Sequence, residues 1–360
     1  MPLSDMDKAR IVAGTHAAEA ENARRLPPEV VDALVAAGFA RHLVPARWGG
    51  TAGGLTELGR AVATVGEGCA SAAWCASLYA HSARFGAFLP EQGQRELWEQ
   101  GPDTLVVAGL VPTGEAVAVP GGTRLTGTWR YTSAVHSADW ALVCGPADGD
   151  EIRFFAVPRS DFTIEDTWFS TGMRATASNT LVLDGVFVPE HRAFLRDSAF
   201  AGRPVGSGAP CHTVPMRAVN GLPFATPILG AATGAHHSAA EIMSGRSPSA
   251  AALLALARAA GEIDAAALLL DRAAAGLDGG GVTPADAARN ARDNCLAVEL
   301  LVGATDRLFR AVGTAGQAQD HPLQRFWRDV NTAASHVALR METAGTIYAQ
   351  QLLASRKEMA

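Results

Sequence analysis

Gln324-Arg325-Phe326-Trp327-Arg328-Asp329, followed by Ser335-His336-Val337, is the stretch on which the reading of this chain turns. Phe326, Val330, Ala334, Val337 and Ala338 recur at helical spacing, so one C-terminal helix is expected to carry the whole segment. Arg328 and Asp329 interrupt the apolar pattern, and charges there are costly unless paired or holding a ligand. His336 lies seven residues beyond Asp329, about two turns, which puts its imidazole on nearly the same face. The pattern reads either as a proton-handling histidine beside an anchored Arg/Asp pair or as a satisfied core histidine beside an ordinary ion pair.

With 360 residues the chain exceeds one typical hydrophobic core, and two or three subdomains are expected. Hydrophobic content of 48% against 18% charge describes a well-buried globular protein rather than a disordered one. A formal charge of -6, without a basic stripe, argues against nucleic acid or an anionic membrane as the main partner. Five scattered cysteines (Cys69, Cys75, Cys144, Cys211, Cys295) include no C-x-x-C pair and read as reduced thiols of a cytoplasmic protein. Met1 to Arg25 has no apolar h-region, so no signal peptide is expected, and no apolar run reaches the length of a membrane span.

Periodicity divides the chain into four parts. Residues 1–103 are helical in pattern, with helices from Pro28 to about Val35, Leu55 to Val65 and Ser71 to Phe88. Residues 104–194 change to short β-type runs: Thr104–Ala108, Arg124–Tyr131, Trp140–Cys144, Ile152–Val157 and Leu181–Val188. They predict an antiparallel sheet domain. Residues 195–222, rich in Gly, Pro and Ser, are expected as a connecting loop. Residues 223–360 return to long helices, including Ala250–Leu277 and one opened by Thr283-Pro284 that runs towards Val312. The fold class is therefore α+β: helices, a central β domain, then a helical bundle.

Several chemistries are excluded by missing motifs. No G-x-G-x-x-G follows a buried strand, no Walker lysine motif exists, and no G-x-S-x-G elbow is present. His236 and His237 are adjacent and point apart on a helix, whereas metal pairs prefer i, i+3 or i, i+4, so no metal site is expected. Gly127 to Trp140 stands out instead, with two Trp, one of only three Tyr, and a hydroxyl cluster at a strand end. Such a place suits a flat aromatic ligand. Tyr131 and Ser133, two apart on a strand, are expected to face the same side. Trp74 and His81 share a helix face in the first domain, which by itself reads as a core Trp with a surface His.

These segments, in this order, resemble the acyl-CoA dehydrogenase fold over nearly the whole chain. The matching motifs are Pro45-x-x-Trp48-Gly49-Gly50, Gly127 to Trp140, Ser170 to Ser178 with Val186-Phe-Val-Pro189, and Arg325-Phe-Trp-Arg-Asp329. The commonest branch of the dehydrogenases places a Glu-Gly a few residues past the Arg-Asp pair, where this chain has Ser335-His336-Val337. A histidine there is similar to the two-component flavin-dependent monooxygenases, such as hydroxyphenylacetate and secosteroid phenol hydroxylases. One departure is that Ala175 and Ala177 stand where that family is Gly-rich.

The resemblance implies the oxygenase component of such a system. Reduced flavin (FMN or FAD), supplied by a separate NAD(P)H:flavin reductase, would react with O2 to a C4a-hydroperoxide and hydroxylate a small organic substrate, aromatic or of secondary metabolism. It implies His336, Ser133 and His81 as catalytic. Tyr131, Thr132, Ser133, Thr176 and Ser178 would bind cofactor, Arg328 and Asp329 would either bind it or support only the helix itself, Trp74 and His81 would bind substrate, and the chain would form a homotetramer. The competing reading is an acyl thioester dehydrogenase whose base lies elsewhere, with Glu262 and Glu299 on bundle helices as the candidates.

Overall fold

A computed structural model describes residues 1–147, 149 and 151–358. The first region holds α1 (Leu3–Thr15), α2 (Ala17–Ala23), α3 (Pro28–Ala36), α4 (Leu55–Gly66), α5 (Ala70–Gly86) and α6 (Glu91–Leu97). Proline opens α3, and Gly38 (φ 90°) turns the chain after it. In α5 every residue except Leu78 is buried. Its Ala, Ser and Gly positions let neighbours approach on all sides, so this helix forms the centre of the molecule.

Among the described residues, eight strands follow: β1 (Val106–Gly109), β2 (Glu115–Val119), β3 (Gly122–Thr132), β4 (Trp140–Pro146), β5 (Ile152–Pro158), β6 (Thr163–Glu165), β7 (Asn179–Pro189) and β8 (Ala193–Leu195). They form two four-stranded sheets, ordered β1-β4-β5-β8 and β2-β3-β7-β6. Trp129 of β3 fills the space between them and donates its Nε1–H to the Cys144 carbonyl at 2.7 Å. The strand pairs are antiparallel as expected except β1 and β4, which run parallel. The chain leaves the first sheet after β1, makes the β2–β3 hairpin in the second, and re-enters in the original direction, the crossover that a parallel pair requires.

Residues 195–222, expected as a loop, carry three short helices: α7 (Arg196–Phe200), α8 (Pro210–Thr213) and α9 (Met216–Val219). The last region consists of α10 (Leu222–Ser244), α11 (Ala250–Asp278), α12 (Pro284–Val312), α13 (Pro322–Ala334) and α14 (Met341–Glu358). Ser249 caps α11, and Thr283 with Asp286 forms a full capping box on α12. Residues from α4, α5, α10, α12 and α13 join those of both sheets in one apolar core. Among the described residues, no helix is long and apolar enough to cross a membrane.

Candidate active site

One cavity of about 890 Å³ opens where α5, the end of β3, the loop before β7, the start of α10 and the end of α13 meet. That volume lies within the range of small-molecule and cofactor pockets. Trp74 and His81 of α5 both line it, as do Tyr131, Ser133, Thr176, Ser178 and His336.

Its polar wall is a ladder of hydroxyls. The Trp74 Nε1–H donates to Ser133 Oγ at 3.1 Å. Ser133 Oγ lies 2.7 Å from Ser178 Oγ, which lies 2.7 Å from Thr176 Oγ1. Thr176 Oγ1 in turn donates to the Met173 carbonyl at 2.9 Å. The backbone carrying the ladder is strained: Tyr131, Ala134, Met173 and Ala177 all have φ between 45° and 62°. Four such residues around one pocket mark a place where packing holds the chain in unfavourable conformations. Ala177 thus adopts a left-handed conformation that a glycine would take without strain.

The same strain revises the reading of β3. Its register against β7 shifts between Trp129 and Thr132, with Tyr131 at φ 62°. The bulge breaks the two-residue alternation, so Ser133 is buried while Tyr131 is 68% exposed at the cavity mouth. There Tyr131 meets Trp168 edge to face, with ring centroids 6.1 Å apart. Thr132 faces away from the cavity, and the Trp129 carbonyl takes its hydroxyl at 3.0 Å.

Two further expectations are corrected on the C-terminal side. α13 stops at Ala334, and His336 (φ -60°, ψ 137°) caps the following 3-10 turn instead of continuing the helix. Arg328 and Asp329 do not pair with each other, and neither lines the cavity. Arg328 binds the Glu21 carboxylate at 2.5 Å and the Thr171 carbonyl at 2.6 Å, while Asp329 accepts the Met173 N–H at 2.5 Å. Both grip the loop that carries Thr176 and Ser178. Gly172 of that loop is pressed on α13, where a Cβ would fall 2.3 Å from the Arg328 carbonyl.

Both cavity histidines are neutral. Burial lowers the His336 pKa to about 4. Its Nδ1 accepts the Ala338 N–H at 3.2 Å, which leaves the proton on Nε2 as a donor. Burial, and next the charge of Arg84, lowers His81 to about 3. Arg84 is buried and donates to the Cys211 and Val214 carbonyls, both at 2.5 Å, fixing the wall formed by α8 and α9. Among the described residues no Asp or Glu lines the cavity. Glu262 is instead paired with Arg307 at 2.7 Å, and Glu299 is exposed. Among the described residues, neither candidate glutamate stands in the pocket.

Trp168, Phe224 and Arg84 line the cavity but escape the sequence reading. Trp168 had one available signal, lying two residues before the Ser170 motif. Phe224 follows an unremarkable Gly-Leu-Pro, and its position depends on the Ser77 hydroxyl, which donates to the Pro223 carbonyl at 2.7 Å. The pocket suits a flavin: aromatic rings at its mouth, a hydroxyl wall for a heteroaromatic edge, and no carboxylate to repel the electron-rich reduced ring.

The family profiles for the acyl-CoA dehydrogenase N-terminal and C-terminal domains match residues 9–99 and 222–341. They define the class: the chain has the acyl-CoA dehydrogenase fold. It is 33% identical over 351 residues to the flavin-dependent monooxygenase oxygenase subunit HsaA of Mycobacterium tuberculosis, covering 91% of this chain and 89% of that one. With the FADH2-dependent resorcinol hydroxylase oxygenase component of Rhizobium it shares 31% identity, covering 94% and 90%. The structure of XiaF from Streptomyces with FADH2 and glycerol superposes with a TM-score of 0.92 at 30% identity, covering 98% and 94%. The chain belongs to the oxygenase components of two-component flavin-dependent monooxygenases. Its cofactor is reduced flavin, delivered by a separate flavin reductase.

Proposed function

We propose that this oxygenase hydroxylates a small aromatic substrate bearing its own hydroxyl group, with His336, Ser133 and His81 as the working polar residues. The carrying observation is a cavity that, among the described residues, is lined by two neutral imidazoles and a hydroxyl ladder and by no carboxylate. Phenolic relatives, among them the resorcinol hydroxylase, support the substrate class. Reduced flavin, when bound, supplies the activation of O2 and the oxygen transfer. Tyr131, Trp168 and the Ser133–Ser178–Thr176 wall would hold its ring, with Asp329 and Arg328 acting only through the loop they fix.

The geometry supports a role for each polar residue. Ser133 Oγ presents a lone pair to a ring N–H. The Nε2–H of His336 donates a hydrogen bond to an oxygen in the cavity and holds a proton there. His81, too weak a base at a pKa of about 3 to remove a phenolic proton readily, accepts a hydrogen bond from the substrate hydroxyl and so orients the ring. Trp74, Phe224 and Met173 exclude water.

The reductase is taken to be NAD(P)H-dependent and the assembly to be a homotetramer built on the exposed leucines of α11. Five free buried cysteines support a reducing, cytoplasmic setting. The test is purified protein given NADH, FMN or FAD and a panel of phenols under labelled O2. Label in the product only when a flavin reductase is added supports the reading. NADH oxidation by the pure chain, or turnover of acyl thioesters without oxygen incorporation, overturns it.

A further inference from the structure

The ladder Trp74–Ser133–Ser178–Thr176–Met173 has four links and four protons able to fill them. Its two ends are fixed. An indole N–H can only donate, and a carbonyl oxygen can only accept. Ser133 must therefore give its own proton to Ser178, Ser178 to Thr176, and Thr176 to Met173, because any reversal leaves one link without a hydrogen. All members are buried, with relative exposures from 1% at Thr176 to 9% at Ser133, so a reversal that leaves one link without a hydrogen is costly. The wall consequently offers the cavity lone pairs and no hydroxyl hydrogen.

We infer that Trp74 sets the redox-state specificity of the site: by polarising the ladder, it makes Ser133 an acceptor that welcomes reduced flavin and rejects oxidised flavin. Reduced flavin carries a hydrogen on N5, which Ser133 Oγ can accept beside the Trp74 bond. Oxidised flavin presents a bare lone pair at N5, which faces another lone pair. Trp74 is thus a positioning residue acting through Ser133, in addition to walling the pocket. This rests on the reading of Ser133 as the residue that meets N5. An oxygenase fed by a separate reductase gains from it, since spent oxidised flavin leaves and reduced flavin enters.

The experiment is anaerobic titration of the full chain with reduced and, separately, oxidised FMN and FAD, comparing the two dissociation constants. Wild type should bind the reduced form more tightly. Trp74→Phe keeps a ring against Phe224 but removes the donor, so Ser133 becomes free to turn its proton outward. The preference for reduced flavin should shrink about two- to tenfold, chiefly through tighter binding of the oxidised form. A tenfold change equals about 30 mV in the bound flavin's two-electron potential, an independent readout. Ser178→Ala frees the Ser133 proton from the other side and should shift the ratio in the same direction, which keeps the test open should Trp74→Phe fold poorly. An unchanged ratio in both variants, while Ser133→Ala weakens reduced flavin alone, refutes the role of Trp74 and leaves the site standing. Wild-type affinities in all three variants remove Ser133 from the flavin site, and the inference with it.

Discussion

The imidazole of His336 lies on the ring of Phe224, with centroids 3.8 Å apart and planes 27° apart, while the Trp74 indole meets it edge-on at 5.8 Å. Two aromatic neighbours and the Ala338 N–H fix both its tilt and its tautomer. An imidazole held in this way is a preorganised donor, set before any ligand arrives.

His336→Ala should leave flavin affinity within a few fold, since the ring contributes one face of a large pocket. Hydroxylation should fall by about 10²–10⁴-fold, the range for a positioned proton donor. NADH consumption by the coupled reductase should continue, with H2O2 released in place of product. The ratio of product to H2O2 is the measurement, and unchanged coupling would take His336 out of the chemistry.

Asp329 anchors the loop under the ladder through the Met173 N–H, and burial raises its pKa to about 6. Asp329→Ala leaves that buried N–H without a partner, at a cost of about 1–3 kcal/mol, to be read from the urea midpoint. Flavin affinity should drop with it as Thr176 and Ser178 lose their support. Asp329→Asn keeps an acceptor and should lose less on both counts. A fully stable Asp329→Ala variant with weakened flavin binding would instead point to direct contact with the cofactor.

How much of this was legible in the sequence differs by scale. Helices α3 and α12 are bounded by proline, glycine and cap residues, which act within a few positions of themselves, and α4 and α11 are legible from their apolar pattern. Strands β2, β6 and β8 were not foreseen, because three to five residues give too short an alternation. The named site residues Trp74, His81, Tyr131, Ser133, Thr176, Ser178 and His336 all reach one cavity, whereas the inferred geometry between them failed twice. Period-two and period-3.6 rules assume unbroken elements. The bulge at Tyr131 and the helix end at Ala334 break them at the pocket, where strain set by distant packing is concentrated.

The outer face of α11 carries Leu253, Leu254 and Leu268, exposed by 51%, 69% and 72% in the single chain. Apolar surface of this kind on a long helix is a candidate for burial against another copy. Sedimentation at micromolar concentration should give a tetramer, and Leu254→Arg with Leu268→Arg should dissociate it without unfolding the protomer. A stable wild-type monomer would contradict the assembly.

Acidification should destabilise the protein through His81. Its pKa is about 3 in the folded chain and near 6.5 when unfolded, so below pH 6.5 the unfolded state binds more protons. Above pH 6.5 both states are neutral and His81 contributes no slope. Between pH 6.5 and 4 each unit should remove on the order of 1 kcal/mol of stability. Asp329 works the other way, because its raised pKa favours the folded state at low pH and that benefit fades as pH rises through about 6. His42, His212 and His336 are lowered by burial as His81 is, so the net slope should follow the histidines. Urea midpoints at pH 7, 6 and 5 check this, with His81→Gln showing a shallower decline than wild type. Parallel declines in the two proteins would mean that His81 is hydrated in the folded state, and that the cavity floor is wetter than its packing implies.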